Sequence, residues 1–392
     1  MTPRPAPLLL ALAALALAAC DDAAGDVRTS VSVAEAMSGD TTGYDRADRV
    51  RDFVFPADHG PHPGFKAEWW YVTGTLRATD GTGRRFGVQF TVFRSALRPD
   101  TAAAGRASGW ATGQLYMAHV GIGDVAGGRF FSSERFARGA AGLAGAAADP
   151  VAAYVGPVRL EQAGPLGPGG AAPLRIEGDA EGAAFRLTAR PVKPVVFQGD
   201  RGLSQKGPEP GNASYYYAQT RMATTGTVRL PGGEAVPVEG LTWLDREWST
   251  SALGPDQVGW DWFALHLDDG RDLMVYQLRR SDGTKDPLSK GSLITAGGEK
   301  VGLSSADYTL TPLDTWESPR GGAYPVRWRL RVPSAGLDLV VVAPLEDQEL
   351  DATVRYWEGT MDVTGTATGT GFLEMTGYAD GLEGAARPLP QS

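Results

Sequence analysis

The feature that most limits the fold of this chain is a repeat. Short strand-like runs between Gly, Pro and Asp punctuation occur twice in the same order. WWYVTGTL leads through Asp80-Gly81 to a strand ending at Arg94, and WDWFALHL leads through Asp269-Gly270 to one ending at Arg279. HVGIGDVAGGRFFSS is matched by SLITAGGEKVGLSS. Tyr217, Met222, Thr225, Gly226 and Thr227 are matched at identical spacing by Tyr356, Met361, Thr364, Gly365 and Thr366. Each copy continues to an aromatic-x-Asp step, Trp243 with Asp245 and Tyr378 with Asp380. Three matches in one order indicate a tandem duplication, with its break between Ser249 and Asp256. Few stretches carry a helical period, so each copy reads as a meander of antiparallel strands. Closing such a meander into a barrel removes its exposed edges. The expected fold is all-β, with two tandem antiparallel β-barrel domains at 51–250 and 251–388. A barrel of about eight strands can hold one small ligand.

The 52 glycines and 27 prolines are about a fifth of the 392 residues, which suits many turns. The first copy is the longer one. The excess falls in an Ala/Gly-rich stretch, 137–153, and a Gly/Pro-rich one, 163–173, both expected to be surface loops. Residues 198–213 are polar, Gly/Pro-punctuated and without periodicity, and such a long segment beside Tyr215, Tyr216 and Tyr217 is a candidate lid.

At the N-terminus one positive charge, Arg4, precedes twelve apolar residues, Leu8 to Ala19. That run is shorter than the ~20 residues a membrane-spanning helix needs. It has the form of a signal peptide, 1–19, ending in small residues before Cys20 in the manner of a bacterial lipobox. Cys20 is the only cysteine, so no internal disulfide supports the fold. The expectation is a chain lipidated at Cys20, tethered by residues 20–50 and held on the periplasmic side of the cell envelope. Asp21 points to retention at the inner membrane. Without residues 1–19 the formal charge goes from −9 to −10 by loss of Arg4, and no basic run offsets it, which argues against nucleic acid as a partner.

Residues 241–263, LTWLDREWSTSALGPDQVGWDWF, hold four of the ten tryptophans and four carboxylates. On a strand, Trp243, Asp245 and Glu247 share one face, while Leu244, Arg246 and Trp248 share the other. In the first copy Glu68 shares a face with Trp70, and Trp69 with Tyr71. A carboxylic acid raised by apolar surroundings can donate a proton, and aromatic faces stabilise a cation by roughly 0.5–2 kcal/mol each. Asp245, Glu247 and Glu68 are therefore the candidate acids. Trp69, Trp70, Tyr71, His119, Tyr216, Trp243, Trp248, Trp260, Trp262 and His266 are the candidate ligand-binding residues. The competing reading makes Arg246 a structural ion-pair partner and the tryptophans barrel plugs. His59-x-x-His62 lies in a Gly/Pro loop with no third ligand in view, so no metal is expected, and no other cofactor either. No Gly-x-Ser-x-Gly elbow and no phosphate loop is present.

FPADHGPHPGFKAEWWYVTG, QGDRGLSQKGPEPGNASYYYAQTRM, LTWLDREWSTSAL with GWDWFALHLDDGRDLMVYQLR, and DQELDATVRYWEG together resemble the carotenoid 1,2-hydratase (hydroxyneurosporene synthase) superfamily. They are closest to its AttH-like branch of secreted lipoproteins, over roughly residues 50–385. The resemblance implies two lipocalin-like barrels with a site where they meet. It also implies, through its hydratase branch, water addition to a terminal carotenoid double bond, and for some members an association with ABC-type exporters. The segment Trp243-Leu244-Asp245-Arg246-Glu247-Trp248 departs from the histidine-bearing one of the hydratases. The favoured expectation is a membrane-anchored lipoprotein that binds a hydrophobic lipid, isoprenoid or polyketide-like molecule in a cavity or at the domain junction. The alternatives are a hydratase, isomerase or cyclase acting on a polyene, and an exporter accessory protein without a ligand.

Overall fold

The computed structural model describes residues 40–99, 112–250, 253–254 and 256–378. The signal run, Cys20, Asp21 and Asp380 lie outside the described residues. Twenty-three strands form two antiparallel sheets among those residues.

The first sheet begins with β1 (Ala67–Ala78), β2 (Arg85–Ala96), β3 (Gln114–Asp124) and β4 (Arg129–Arg138). It continues with β5 (Ala144–Ala148), β6 (Val151–Val155), β7 (Val158–Gln162), β8 (Leu174–Ala180) and β9 (Ala183–Pro191). Two short pieces, β10 (Val196–Phe197) and β11 (Leu203–Gln205), precede the long β12 (Ala213–Arg229) and β13 (Ala235–Ser249). The second sheet holds β14 (Gln257–Leu267), β15 (Asp272–Arg280), β16 (Lys290–Ile294) and β17 (Lys300–Ser304). It ends with β18 (Thr309–Glu317), β19 (Ala323–Val332), β20 (Leu337–Val342), β21 (Glu349–Leu350), β22 (Tyr356–Gly365) and β23 (Gly369–Thr376).

The strand orders give the duplication its structural form. The first sheet runs β4-β3-β2-β1-β13-β12-β9-β8-β7-β6-β5 and the second β17-β16-β15-β14-β23-β22-β20-β19-β18. In each, the first strand of the copy pairs with the last, and a short strand caps the next to last: β10 and β11 on β12, β21 on β22. The first sheet curls until β3 and β4 meet β8 and β6, a nearly closed barrel. The fold is two lipocalin-like barrels in tandem.

Both interiors are filled. Trp70, Val72, Phe86, Phe90, Ile122 and Leu187 belong to the buried core of the first barrel, and Phe263, Trp328, Leu339, Trp357 and Met375 to that of the second. A third apolar cluster lies between them, joining Tyr71, Tyr216 and Trp243 of the first barrel to Trp262, Met274 and Tyr276 of the second. The barrels meet on the outer faces of β1, β2, β13, β14, β22 and β23. Gly87 on this face allows the close approach, since a Cβ there would stand 3.0 Å from Thr360.

Residues 137–153 differ from the expected loop. They form β5 and half of β6, with Ala144, Val151 and Ala153 buried in the first core. Alanine and glycine carry weak strand preference, and the sheet edge supplies what the side chains do not. Residues 163–173 contain only a short 3-10 turn, Pro168–Gly170. Among the described residues no helix is long and apolar enough to cross a membrane.

Candidate functional site at the barrel junction

The second half of β13, Thr242 to Ser249, is buried on both faces, and this accounts for the crowding of tryptophan and carboxylate at the start of residues 241–263. Its even face looks into the first barrel. Leu244 joins the core there, and Arg246 bonds Glu68, which is also held by Arg94 and by the backbone N–H of His62 at 2.9 Å. Burial alone would raise the Glu68 carboxyl, but Arg246, the His62 hydrogen bond and Arg94 hold it well below the carboxylate range. Trp70 lies 3.8 Å from the Arg246 guanidinium and donates to His59 O at 2.9 Å. Trp248 stacks on His62 at 3.8 Å. Glu68, Trp70 and Trp248 thus form part of an internal ionic and aromatic plug, and the fold does not bring them to the junction.

The odd face of β13 looks at the second barrel. Asp245 accepts from the Tyr216 hydroxyl at 2.6 Å and from the Trp243 indole at 2.6 Å. Burial, together with the charges of Glu247 and Glu374, raises its carboxyl well above the ordinary range against those two hydrogen bonds. Glu247 pairs with Lys206, whose ammonium stands 5.4 Å above the Trp69 ring. Tyr71 packs 5.5 Å from Trp262, which in turn lies 6.3 Å from Trp243.

Two acids that the sequence reading missed complete the site. Glu358 on β22 and Glu374 on β23 are direct cross-strand partners. The Tyr71 hydroxyl donates to Glu358 at 3.1 Å, and the Trp260 indole donates to Glu374 at 2.9 Å. Burial of both carboxyls, and their proximity, keep protons on the pair. Glu358 is raised well above its usual value and Glu374 up to about 7. Glu374 is partly exposed, as are Trp69 and Trp260 beside it, so this end of the junction opens outward.

Along the mouth the cross-strand partners Trp69, Phe93, Met117 and Phe136 form an apolar row over β1 to β4. Phe136, at its outer end, is half exposed. The next row inward carries Asp245, Tyr71, Thr91, His119 and Glu134. Direct cross-strand neighbours share a face, so both rows look at the second barrel. His119 bonds Glu134 through Nε2 at 2.9 Å, and its ring lies 5.4 Å from Phe93 and 5.9 Å from Tyr356. His266 sits at the opposite end of the junction, 6.0 Å from Trp243. It donates through Nε2 to Thr220 O at 2.8 Å and is lowered by burial to about 4, the setting of a neutral structural histidine.

The segment 198–213 crosses the junction. Gln198 accepts from Ser292 at 2.9 Å, Ser204 meets the Tyr276 hydroxyl at 3.4 Å, and Lys206 O accepts from Gln257 at 3.0 Å. Gln205 turns back onto Gly207 O and Glu209 O instead. Among the described residues no group of His, Cys, Asp and Glu has the arrangement of a metal site.

Comparison with known proteins agrees with this architecture. The crystal structure of an AttH protein from Nitrosomonas europaea superposes with a TM-score of 0.71 at 32% identity, covering 84% of this chain and 98% of that one. Kievitone hydratase from Nectria haematococca has the same fold, with a TM-score of 0.61 at 17% identity over 86% and 96% of the two chains. In sequence, kievitone hydratase of Fusarium solani subsp. phaseoli is 24% identical over 199 residues, 49% of this chain and 55% of that protein. The dehydratase asqC of Emericella nidulans is 21% identical over 182 residues, 45% of this chain and 50% of that protein. The chain spans about half the length of these two curated relatives. The AttH-like family profile matches residues 46–378, most of the chain, and the protein belongs to the AttH-like family.

Proposed function

We propose that this protein is a hydratase-type enzyme that adds water to an apolar alkene, or removes it, at the junction of its barrels. The observation that carries the reading is the Glu358–Glu374 pair, a junction diacid with Glu358 buried and Glu374 partly exposed, which holds a proton near neutrality beside aromatic rings. A carboxylic acid poised near the working pH is the donor that alkene protonation requires. Trp69, Trp260, Tyr71 and Tyr356 offer ring faces to the resulting cation. The row from Phe136 to Trp69 suits an apolar chain lying along the mouth. The names of two relatives, a hydratase and a dehydratase, describe the two directions of this reaction.

The carrier reading favoured from the sequence is the weaker one, because a binding wall has no use for a protonated acid pair. We also propose that the enzyme works tethered through Cys20 to the periplasmic face of the inner membrane, where apolar substrates partition.

The test is incorporation of heavy-oxygen water into a prenylphenol, squalene and neurosporene by the purified protein. Product alcohol carrying the label supports the reading. No labelled alcohol from any probe, together with retention of a co-purified lipid that never changes, would return the carrier reading to first place.

A further inference from the structure

We infer that His119 and Gln89 form the seat of the attacking water, with His119 Nδ1 as the general base and Glu134 fixing its tautomer. This rests on the hydratase reading above and names the half of the chemistry that the acid pair does not supply.

His119 and Gln89 are both 0% exposed and both lie on the junction face. His119 pairs across strands with Thr91, and Gln89 stands two residues before Thr91 on β2. They are thus diagonal neighbours, at about 7–8 Å between Cα atoms and within reach of one small molecule held between their side chains. Each has a buried polar atom without a hydrogen-bond partner among the described residues, His119 Nδ1 and Gln89 Oε1. Buried polar atoms are almost always paired, so two such atoms on diagonal neighbours of one sheet face point to a bound group.

The chemistry of the two atoms says which group. The Gln89 amide donates through Nε2 to Thr91 Oγ1 at 2.5 Å, which leaves Oε1 as an acceptor. Glu134 accepts from His119 Nε2 at 2.9 Å and from the backbone N–H and hydroxyl of Thr353 at 3.1 and 2.7 Å. Burial would raise the Glu134 carboxyl, but the hydrogen bonds from His119 and Thr353 hold it lowered, as an anion. An anionic acceptor places the imidazole proton on Nε2 and leaves Nδ1 with a lone pair. Two acceptors on diagonal neighbours are complementary to one donor of two hydrogens. Water fills that role and keeps an oxygen lone pair free for attack.

The seat also lies in the right place. The Tyr356 ring lies 5.9 Å from His119 and 6.4 Å from Trp260, which bonds Glu374, and its hydroxyl is pushed up by burial and by the charges of Glu374, Glu358 and Glu134. Tyr356 thus neighbours both the base and the indole that holds the acid. In the forward step a carboxyl proton of the pair forms the new C–H bond and the alkene π electrons leave a tertiary cation. The water oxygen then bonds to that carbon while His119 Nδ1 takes its proton. The carboxylate and the imidazolium are restored by proton exchange with solvent.

The experiment separates the two halves. Wild-type protein, His119→Gln and Glu374→Gln are incubated with a prenylphenol, squalene and neurosporene in deuterium oxide and, separately, in heavy-oxygen water. His119→Gln is expected to lose about 100-fold or more of oxygen incorporation while still exchanging deuterium into the alkene, because the cation forms and collapses back. Glu374→Gln is expected to lose both. Gln89→Met, which removes the second acceptor and keeps the volume, should lower oxygen incorporation and spare exchange. Unchanged oxygen incorporation in folded His119→Gln, or loss of both signals together, overturns the base assignment and leaves the acid pair standing. Absence of both signals in the wild type overturns the hydratase reading and the base with it. Independently of any substrate, nitrogen NMR of the labelled His119 ring should show the tautomer with its proton on Nε2, facing Glu134. A protonated Nδ1 sinks the proposal.

Discussion

Asp245 and Glu374 occupy the same position in the two barrels. Asp245 lies opposite Tyr71 and Glu374 opposite Trp262, and the repeat matches Tyr71 with Trp262. Each carboxyl accepts from an indole two positions or one strand away, Trp243 for Asp245 and Trp260 for Glu374. Their surroundings have diverged. Asp245 is sealed beneath Tyr216, whereas Glu374 opens at the mouth beside Trp69 and Trp260. One inherited position is thus a sealed carboxyl in the first barrel and a partly exposed one in the second.

Glu374→Gln should therefore abolish turnover while leaving the fold intact, lowering the rate by about 10²–10⁴. The donor acts in its protonated form. The wild-type rate should be highest below the Glu374 value of about 7 and decline as pH rises through it. Rates of heavy-oxygen incorporation across pH 5 to about 9 check this. A profile that rises through neutrality would assign Glu374 the opposite role.

Asp245→Asn should act on stability instead. The folded protein keeps a proton on Asp245 that the unfolded chain releases above the ordinary aspartate range. The native state then binds more protons than the unfolded one, and this group costs stability as pH rises, by at most about 1.4 kcal/mol per pH unit. Asparagine removes that cost at nearly equal volume. Melting curves of variant and wild type should lie close near pH 4 and separate in favour of the variant towards pH 8. A variant that is less stable at every pH would mean that Asp245 is ionised and paired.

Glu68→Gln should show the reverse dependence. The Glu68 carboxyl is depressed by Arg246 and Arg94, so its contribution is present above the unfolded value of about 4.3 and is lost as pH falls further. Removing the charge leaves two buried guanidinium groups uncompensated, at a cost of about 3–5 kcal/mol. Denaturant unfolding at pH 7 measures it. A change below about 1 kcal/mol would place the ion cluster among those that contribute nothing measurable.

Much of the architecture was legible because two-residue alternation and turn residues survive duplication. The two faces of Trp243 to Trp248 followed from alternation alone. The acid pair did not, for a specific reason. Identical spacing matched Tyr217 with Tyr356, and an aromatic-x-Asp step matched Asp245 with Asp380, but β12 shifts register between Gln219 and Met222. That one-residue shift makes Tyr216, opposite Glu247, the counterpart of Tyr356, opposite Thr376. A shift of one exchanges the faces of a strand, so Tyr217 turns inward to bond His59 and Tyr216 outward to Asp245. Aligning the copies on β1 and β14 rather than on the tyrosines would have pointed to Glu374.

Cys20→Ser should leave the protein unprocessed or released from the membrane, since the lipid is then absent. Fractionation and mass spectrometry of the N-terminus check this. A variant cleaved after Ala19 that still sediments with membranes would exclude a lipid anchor at this residue.

Trp260→Phe tests how Glu374 is tuned. The indole N–H bonds the carboxyl at 2.9 Å and favours its ionised form, opposing the burial that raises it. Phenylalanine keeps an aromatic face for the cation but has no proton to donate. The carboxyl should then hold its proton more firmly, and the alkaline limb of the rate profile should move upward from about 7. Rates at low pH, where the acid is protonated in both proteins, should change much less than the position of the limb. The shift is read from the heavy-oxygen incorporation profile, with melting curves confirming that the variant is folded. A folded variant with an unmoved limb would mean that the group titrating near neutrality is not Glu374.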